Sequence, residues 1–122
     1  MSSKQILVVT GDITHCEKLK QNLEAGGYAV DIAYQGDEAI DILKRKWVDL
    51  IITSITLQGV MNGIHFLQEI KKDKELQNIP VIVQTSKVNM EKSVKELVVN
   101  LFITKPYDMG DLIKKIKEIL PD

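Results

Sequence analysis

Residues 6–9 of the chain read Ile-Leu-Val-Val, an unbroken apolar run. A strand that is covered on both faces reads in this way, because neither face has to meet water. Apolar runs recur at 49–54, 80–85 and 101–104, and residues 28–33 alternate with a period of two, as a less buried strand does. We therefore predict five short strands over these ranges.

Between the predicted strands, apolar residues return at the spacing of helices. The predicted helices begin at or near Thr14, Asp37, Ile64, Asn89 and Asp108. Thr14 and Glu17 fit a capping box, in which both side chains satisfy free backbone N–H groups of the first helix. Strands that alternate with helices form a parallel sheet with helices on both faces, because the connections cross over in a right-handed sense. The predicted fold class is therefore α/β.

The composition describes one domain. The 122 residues, 44% of them hydrophobic and 27% charged, are enough for one core without cross-links. The single cysteine, Cys16, cannot form a disulfide within the chain and suits a reducing compartment. The N-terminus lacks the apolar stretch of a signal peptide, and no apolar run approaches the roughly 20 residues of a membrane span. We expect one cytoplasmic domain over residues 1–122, with no membrane contact.

The charge balance argues against nucleic acid as a partner. Lysine and arginine number 16, aspartate and glutamate number 17, and the formal net charge is −1. Nucleic-acid binding needs a basic field for the phosphates and, for single strands, aromatic side chains on which the bases stack. The chain has only one tryptophan, two phenylalanines and three tyrosines. We therefore expect no nucleic-acid partner.

Any binding site is expected at one edge of the sheet. In open parallel sheets, ligands bind beyond the carboxyl ends of the strands. The segments that follow the predicted strands at that edge are 10–13, 54–63, 85–89 and 105–108. We therefore expect the functional residues in these segments.

Several stretches share their pattern with one protein family. They are ILVV at 6–9, GGYAVDIAYQGDEAIDIL at 26–43, WVDLIIT at 47–53, NIPVIVQTS at 78–86 and FITKPYDMGDLIKKI at 102–116. Together they resemble, over essentially the whole chain, the receiver domain of bacterial two-component response regulators. The most specific element is Thr104-Lys105-Pro106, which matches the phosphate-binding lysine of that family. The resemblance implies a flavodoxin-like (βα)5 receiver fold with a five-stranded parallel sheet in the order 2-1-3-4-5.

Receivers of that family accept a phosphoryl group from a histidine kinase on an aspartate, and an acidic pair helps to hold Mg²⁺. The resemblance places the acceptor at Ser54 and the acidic pair at Thr10 and Gly11, so that the family's carboxylates are missing there. Asp12 is the nearest acid, with two competing interpretations, a residual metal ligand and a helix-start residue. We predict the helix-start role.

Other family positions are kept. The resemblance places the hydroxyl switch at Thr85, the switch aromatic at Phe102 and the phosphate-binding lysine at Lys105. The loop after the acceptor position differs from the family pattern, because it is one residue longer than usual and has Gln58 where a proline is common. The resemblance therefore predicts a degenerate form of the family's phosphoacceptor pocket.

A serine does not replace an acceptor aspartate chemically. A carboxylate is an anionic nucleophile at neutral pH, whereas the hydroxyl of Ser54 needs a neighbouring base. His15 and His65 lie within predicted helices and are not placed to act as that base. We therefore predict no phosphohistidine-to-aspartate transfer, no metal site, no cofactor and no enzymatic activity. Lys105 is predicted to hold the pocket in one state by bonding to Ser54, Asp12 or a backbone carbonyl.

The leading hypothesis is a receiver-like module that acts by protein–protein contact in a signalling pathway, with a histidine kinase or an output protein as its partner. An alternative is a phosphorelay regulator that is modified at a non-standard residue such as Ser54 or Thr85. A third hypothesis, from a different class, is an enzyme that uses Ser54 and Lys105 as a nucleophilic dyad. Intact mass after treatment with a phosphoryl donor separates the first two, and activity-based labelling of Ser54 tests the third.

The resemblance also implies a partner surface near the C-terminus, where receivers commonly contact other proteins. Its residues in this chain are Val88, Met90, Val94, Tyr107 and Lys114. Grouped exposed apolar residues mark an interaction patch, whereas scattered ones mean little. Val60 and Met61, in the lengthened loop, form a second candidate surface.

Overall fold

Parallel strands form a single sheet at the centre of the molecule. The structure, a computed structural model, describes residues 3–85, 100–104 and 107–120. The strands are β1 (Gln5–Val9), β2 (Ala29–Ala33), β3 (Leu50–Ser54), β4 (Val81–Thr85) and β5 (Leu101–Thr104). Their order across the sheet is β2-β1-β3-β4-β5, and every neighbouring pair is parallel. The predicted α/β fold and its strand order are confirmed.

Helices connect the strands. Within the described residues they are α1 (Ile13–Ala25), α2 (Gly36–Arg45), α3 (Gly63–Lys72) and α4 (Met109–Ile119). The helix predicted over residues 89–98 lies outside the described residues. None of the helices in the described part of the chain is long and apolar enough to cross a bilayer.

The sheet buries apolar side chains on both of its faces. In β1, Leu7 and Val9 belong to one core cluster and Ile6 and Val8 to the other, and none of them is exposed. Helices α2 and α3 cover the first face, and α1 and α4 cover the second. Burying an aliphatic side chain of this size contributes about 1.5–3 kcal/mol. The apolar run at 6–9 is therefore explained by a central strand that meets no water.

Helix α1 begins at a cap made by Asp12. The carboxylate Oδ1 of Asp12 accepts a hydrogen bond from the backbone N–H of His15 at 3.1 Å, which is the contact of an N-cap residue. The predicted capping box of Thr14 and Glu17 is wrong, because the helix starts at Ile13 and both residues lie inside it. The interpretation of Asp12 as a helix-start residue is confirmed.

The loop between β3 and α3 is fixed to the end of β3. Asn62 caps α3, since its Oδ1 accepts a hydrogen bond from the backbone N–H of His65 at 2.8 Å. The backbone N–H of Gly63 donates to the carbonyl of Ile55 at 2.8 Å. A Cβ atom at Gly63 would overlap the carbonyl oxygen of Ser54. Only glycine therefore lets this loop close so tightly on β3.

Candidate functional site

An open cleft of about 330 Å³ lies at the carboxyl edge of the sheet. Its lining consists of Thr10, Gly11, Asp12, Ser54, Ile55, Thr56, Gln84 and Thr85. These residues follow or end β1, β3 and β4, whose carboxyl ends meet at this edge. The structure thus brings together all of the predicted pocket residues except Lys105, which lies outside the described residues.

Ser54 is the last residue of β3 and is only 4% exposed. Parallel pairing places it beside Gln84 of β4. The side-chain amide nitrogen of Gln84 donates a hydrogen bond to Ser54 Oγ at 3.2 Å. The hydroxyl oxygen of Ser54 is therefore held from one side by a neutral donor.

Gln84 is the centre of a buried polar network. Its side chain has no exposed surface, so both ends of its amide need partners inside the protein. The carbonyl Oε1 accepts a hydrogen bond from the hydroxyl of Tyr107 and lies 3.2 Å from His15 Nε2. Together with the bond to Ser54, these contacts satisfy the amide at both ends and fix its orientation.

The network determines which nitrogen of His15 carries a proton. The single hydroxyl proton of Tyr107 is directed at Gln84, so the Tyr107 oxygen can only accept from His15 Nε2, which lies 3.1 Å away. Gln84 Oε1 can also only accept. We therefore assign a proton to His15 Nε2. The two rings meet edge to face, with centroids 5.9 Å apart and planes at 85°.

Burial raises the pKa of Tyr107 to about 12. The hydroxyl therefore stays protonated throughout the physiological range and remains a donor to Gln84. The resemblance had assigned Tyr107 to a partner surface, yet its partly buried hydroxyl points into the network behind the cleft. The hydroxyl of Tyr107 therefore contacts Gln84 inside the protein and is not part of a partner surface.

Sequence reasoning did not identify His15 and Gln84 as neighbours of Ser54. The sequence predicts a helical position for His15, and the first turn of α1 brings its ring to Gln84. A signal was present in β4, where Gln84 interrupts the apolar run Val-Ile-Val. A buried amide inside a strand implies hydrogen-bond partners on neighbouring elements. The position of those partners is visible only in the fold.

The cleft does not fit a Mg²⁺ site of the usual kind. Mg²⁺ is commonly held by one or two carboxylates together with phosphate oxygens and water. Asp12 is the only carboxylate among the described residues of the lining, and its Oδ1 caps α1 through the N–H of His15. Among the residues that the structure describes, no group of three or more His, Cys, Asp or Glu side chains is placed to hold a metal. The interpretation of Asp12 as a residual metal ligand gains no support.

The lengthened loop packs directly against Gly11. The backbone N–H of Gly11 donates to the carbonyl of Thr56 at 3.2 Å, and the side-chain amide of Gln58 donates to the carbonyl of Gly11 at 3.0 Å. A Cβ atom at Gly11 would lie 3.2 Å from Thr56 O and from Gln58 N, which is tighter than ordinary contact. The backbone of this loop therefore crowds the place where a side chain at position 11 would begin.

The two predicted switch residues lie on neighbouring strands, Thr85 on β4 and Phe102 on β5. Thr85 ends β4 and is 5% exposed. Phe102 of β5 is partly buried, pairs with Val83 and packs against the core on the α2 and α3 face. Lys105, the third residue that matches the family pattern in the resemblance, lies outside the described residues.

The predicted partner surfaces are described only in part. Val88, Met90 and Val94 lie outside the described residues, and Lys114 is exposed on α4. In the second candidate surface, Val60 is fully exposed, whereas Met61 is partly buried and packs against Gly36. A Cβ atom at Gly36 would meet Met61 Sδ at 2.5 Å. Met61 therefore closes the loop onto α2, and Val60 alone of this pair is freely available.

Comparison with known proteins agrees with the fold. A family model described as the response regulator receiver domain matches residues 6–117. The transcriptional regulatory protein ZraR of Salmonella typhimurium is 32% identical over 94% of this chain, which spans 26% of ZraR. The phosphate regulon transcriptional regulatory protein PhoB of Escherichia coli is 30% identical over 97% of this chain, which spans 52% of PhoB. The chain thus spans about a quarter to about half of the length of these curated relatives.

A solved structure gives a closer match in length. The signal receiver domain of a signal transduction histidine kinase from Syntrophus aciditrophicus is 32% identical to this chain, with a TM-score of 0.89. The match covers 97% of this chain and 90% of that chain. Both the sequence and the fold of the two chains therefore correspond over nearly their full length.

Proposed function

The chain belongs to the response regulator receiver domain family, and on that basis we propose that it is a receiver that acts by binding a protein partner, without phosphorylation of an aspartate. In this proposal Ser54 takes the place of the acceptor, and Thr10 and Gly11 take the place of the acidic pair. The observation that carries the proposal is the hydrogen bond from the Gln84 amide to Ser54 Oγ at 3.2 Å. It gives the acceptor position a neutral, internally bonded hydroxyl instead of an anionic nucleophile.

Within the described part of the chain, the side chain that contacts the Ser54 hydroxyl is not a base. To attack phosphorus effectively, a serine must pass its proton to a neighbouring group. The atom of Gln84 that contacts Ser54 is an amide nitrogen, which donates and does not accept. His15 contacts the far end of the same amide, and its Nε2 already carries a proton that is directed at Gln84 and Tyr107. These contacts support a hydroxyl that is structural and unreactive.

The electrostatics of the cleft support the same proposal. A phosphoryl group brings negative charge that family receivers offset with Mg²⁺ and a lysine. The described residues of the lining include one carboxylate, that of the exposed Asp12, which caps a helix. The donor atoms of these residues do not fit Mg²⁺. We therefore derive no step that passes through a metal, and the proposal includes neither a cofactor nor an enzymatic activity.

A fixed network replaces a phosphoryl-driven change in this proposal. The amide of Gln84 is satisfied by Ser54 on one side and by Tyr107 and His15 on the other. Breaking the buried bond between Gln84 and Ser54 would cost about 1–3 kcal/mol for each buried group left without a partner. We therefore propose a domain that presents one surface to its partner at all times, the partner being a histidine kinase or an output protein.

The alternatives receive less support. Modification of Ser54 or Thr85 by a serine/threonine kinase requires access to hydroxyls in residues that are only 4% and 5% exposed. A nucleophilic dyad of Ser54 and Lys105 requires a base at Ser54, and Lys105 lies outside the described residues. Labelling with a fluorophosphonate, which tests this dyad, is expected to leave Ser54 unmodified.

The proposal is tested by incubating the purified protein with acetyl phosphate and Mg²⁺ and measuring its intact mass. We expect no change of mass under conditions in which a receiver with an acceptor aspartate gains a phosphoryl group. An adduct that hydroxylamine removes would be an acyl phosphate and would overturn the proposal. An adduct that resists hydroxylamine and maps to Ser54 or Thr85 would overturn it in favour of modification at a non-standard residue.

A further inference from the structure

Trp47 is an exposed aromatic side chain at the amino edge of the sheet, in the turn between α2 and β3. It is 68% exposed. Its indole N–H donates to Asp49 Oδ1 at 2.7 Å, and Asp49 Oδ2 in turn accepts from the backbone N–H of Gln5 at 2.8 Å. Trp47 is therefore oriented by a carboxylate that is tied to β1. A large aromatic side chain held in this way loses little conformational freedom when a partner covers it.

A second cleft, of about 530 Å³, opens beside Trp47. Its floor is formed by apolar residues that are themselves nearly fully buried, namely Leu43, Val48, Leu76 and Ile79. These side chains come from the end of α2 and from the turns that precede β3 and β4. An apolar side chain placed here would be covered by Trp47 and the floor together, and its transfer from water is favourable by about 25 cal/mol per Å² of apolar surface.

The rim of this cleft is basic. Lys44, Arg45 and Lys46 lie on one side, and Glu75 lies on the other. Lys46 is paired with Asp31, at 2.7 Å between Nζ and Oδ2. Within the described part of the chain, no carboxylate lies within 4.0 Å of the charged groups of Lys44 or Arg45. Two exposed cations therefore stand beside an apolar cleft without a carboxylate partner among these residues.

We propose that the Trp47 surface, formed by Trp47, Leu43, Leu76, Ile79 and the cations Lys44 and Arg45, binds an acidic peptide segment of a protein partner. One apolar side chain of that segment enters the cleft beside Trp47, and its flanking carboxylates face Lys44 and Arg45. The charges select this class of partner, because a basic segment would bring like charges together. The aromatic anchor and the apolar floor supply the affinity.

This surface is separate from the Ser54 cleft. Val48 precedes β3 and Ser54 ends it, and the six residue steps from one to the other correspond to about 20 Å along a strand. Binding at the Trp47 surface therefore needs no particular chemistry at Ser54. The proposal stands or falls independently of the absence of aspartyl phosphorylation.

The test uses peptides of known sequence and the fluorescence of Trp47, which is the only tryptophan of the chain. The probe is a capped peptide with one central leucine flanked by glutamates. One control replaces the glutamates by lysines, and a second replaces the leucine by glycine. We expect a saturable change of emission with the probe, and affinities lower by about tenfold or more for both control peptides. Added salt should weaken the binding of the probe, because the charges on the rim are exposed.

Charge-reversed variants of the protein locate the contact. The variant Lys44→Glu/Arg45→Glu should lower the affinity of the protein for the probe peptide by about tenfold. The matched control is Lys115→Glu/Lys117→Glu, which makes the same change of net charge at exposed positions of α4 and should leave the affinity unchanged. Equal binding of the glutamate and lysine peptides, no emission change at millimolar peptide, or an unaltered affinity of Lys44→Glu/Arg45→Glu would overturn the proposal. Self-association that Trp47→Ala abolishes, measured by sedimentation, would overturn it by making a second copy of the chain the occupant.

Discussion

Ser54 and Gln84 lie side by side at the ends of β3 and β4, and the amide nitrogen of Gln84 donates to Ser54 Oγ at 3.2 Å. Gln84 has no exposed surface, so the chain must satisfy both ends of its amide. Ser54 accepts from the nitrogen, and the hydroxyl of Tyr107 donates to the oxygen. The amide of Gln84 is therefore satisfied at both ends by side chains of the protein itself.

Replacing Gln84 by methionine should destabilise the fold. Methionine has a similar length but cannot bond to Ser54, Tyr107 or His15, so these groups lose a partner in a buried place. We expect the free energy of unfolding to fall by about 1–3 kcal/mol, measured by urea denaturation. The matched control is Gln21→Met on the exposed face of α1, which should change the stability by less than about 0.5 kcal/mol. Equal losses of unfolding free energy in the two variants would show that the hydrogen bonds of Gln84 contribute nothing to stability.

Tyr107 should make the stability depend on pH in the alkaline range. Burial raises its pKa from 10.0 to about 12 in the folded protein. The folded state therefore keeps a proton that the unfolded state releases, and the stabilisation is complete below pH 10 and lost as the pH rises towards 12. Spectrophotometric titration should give a phenol that ionises near pH 12 and is missing in Tyr107→Phe. The same titration curve for both proteins would contradict this assignment.

Cys16 should be an unreactive thiol. It is fully buried, and burial, followed by the charges of Glu17 and Asp12, raises its pKa to about 11. Since the thiolate is the reactive form, the native protein should react with Ellman's reagent at pH 8 at least about 100-fold more slowly than the protein in urea. Comparable rates in the two states would mean that the thiol is accessible and would contradict this prediction.

Gly63 should not tolerate a side chain. A Cβ atom there would overlap the carbonyl oxygen of Ser54, so Gly63→Ala must displace either the loop or the end of β3. We expect a loss of about 2 kcal/mol or more in the free energy of unfolding. Gly26→Ala is the control, because φ at Gly26 is −83° and the nearest atom to its added Cβ lies at 3.4 Å. A loss for Gly63→Ala no larger than that for Gly26→Ala would contradict the close packing at Ser54.

The sequence predicts the sheet well because its strands are marked by composition. The run Ile6–Val9 is apolar throughout and is buried throughout, as a central strand requires. The location of the cleft also follows from the sequence, since the carboxyl ends of parallel strands meet at one edge. Local signals are less decisive at helix starts, where Asp12 and Thr14 both fit a cap and only the position of the first turn separates them.

The polar network could not be read from the sequence. His15 and Gln84 are 69 positions apart, and Tyr107 is 23 positions beyond Gln84. Their contact depends on the register of β4, on the rotation of α1 and on three side-chain conformations, none of which has a periodic signature. The same holds for Trp47, whose exposure and hydrogen bond to Asp49 follow from the shape of one turn.

The central claim is that the Ser54 cleft exists in one state that a phosphoryl donor does not change. The most direct measurement is a two-dimensional amide NMR spectrum, recorded before and after addition of acetyl phosphate and Mg²⁺, that follows Ser54, Gln84 and Tyr107. We predict that the resonances of these residues keep their positions. A second set of resonances at Ser54 and its neighbours, growing with the phosphoryl donor and absent with Mg²⁺ alone, would contradict the claim.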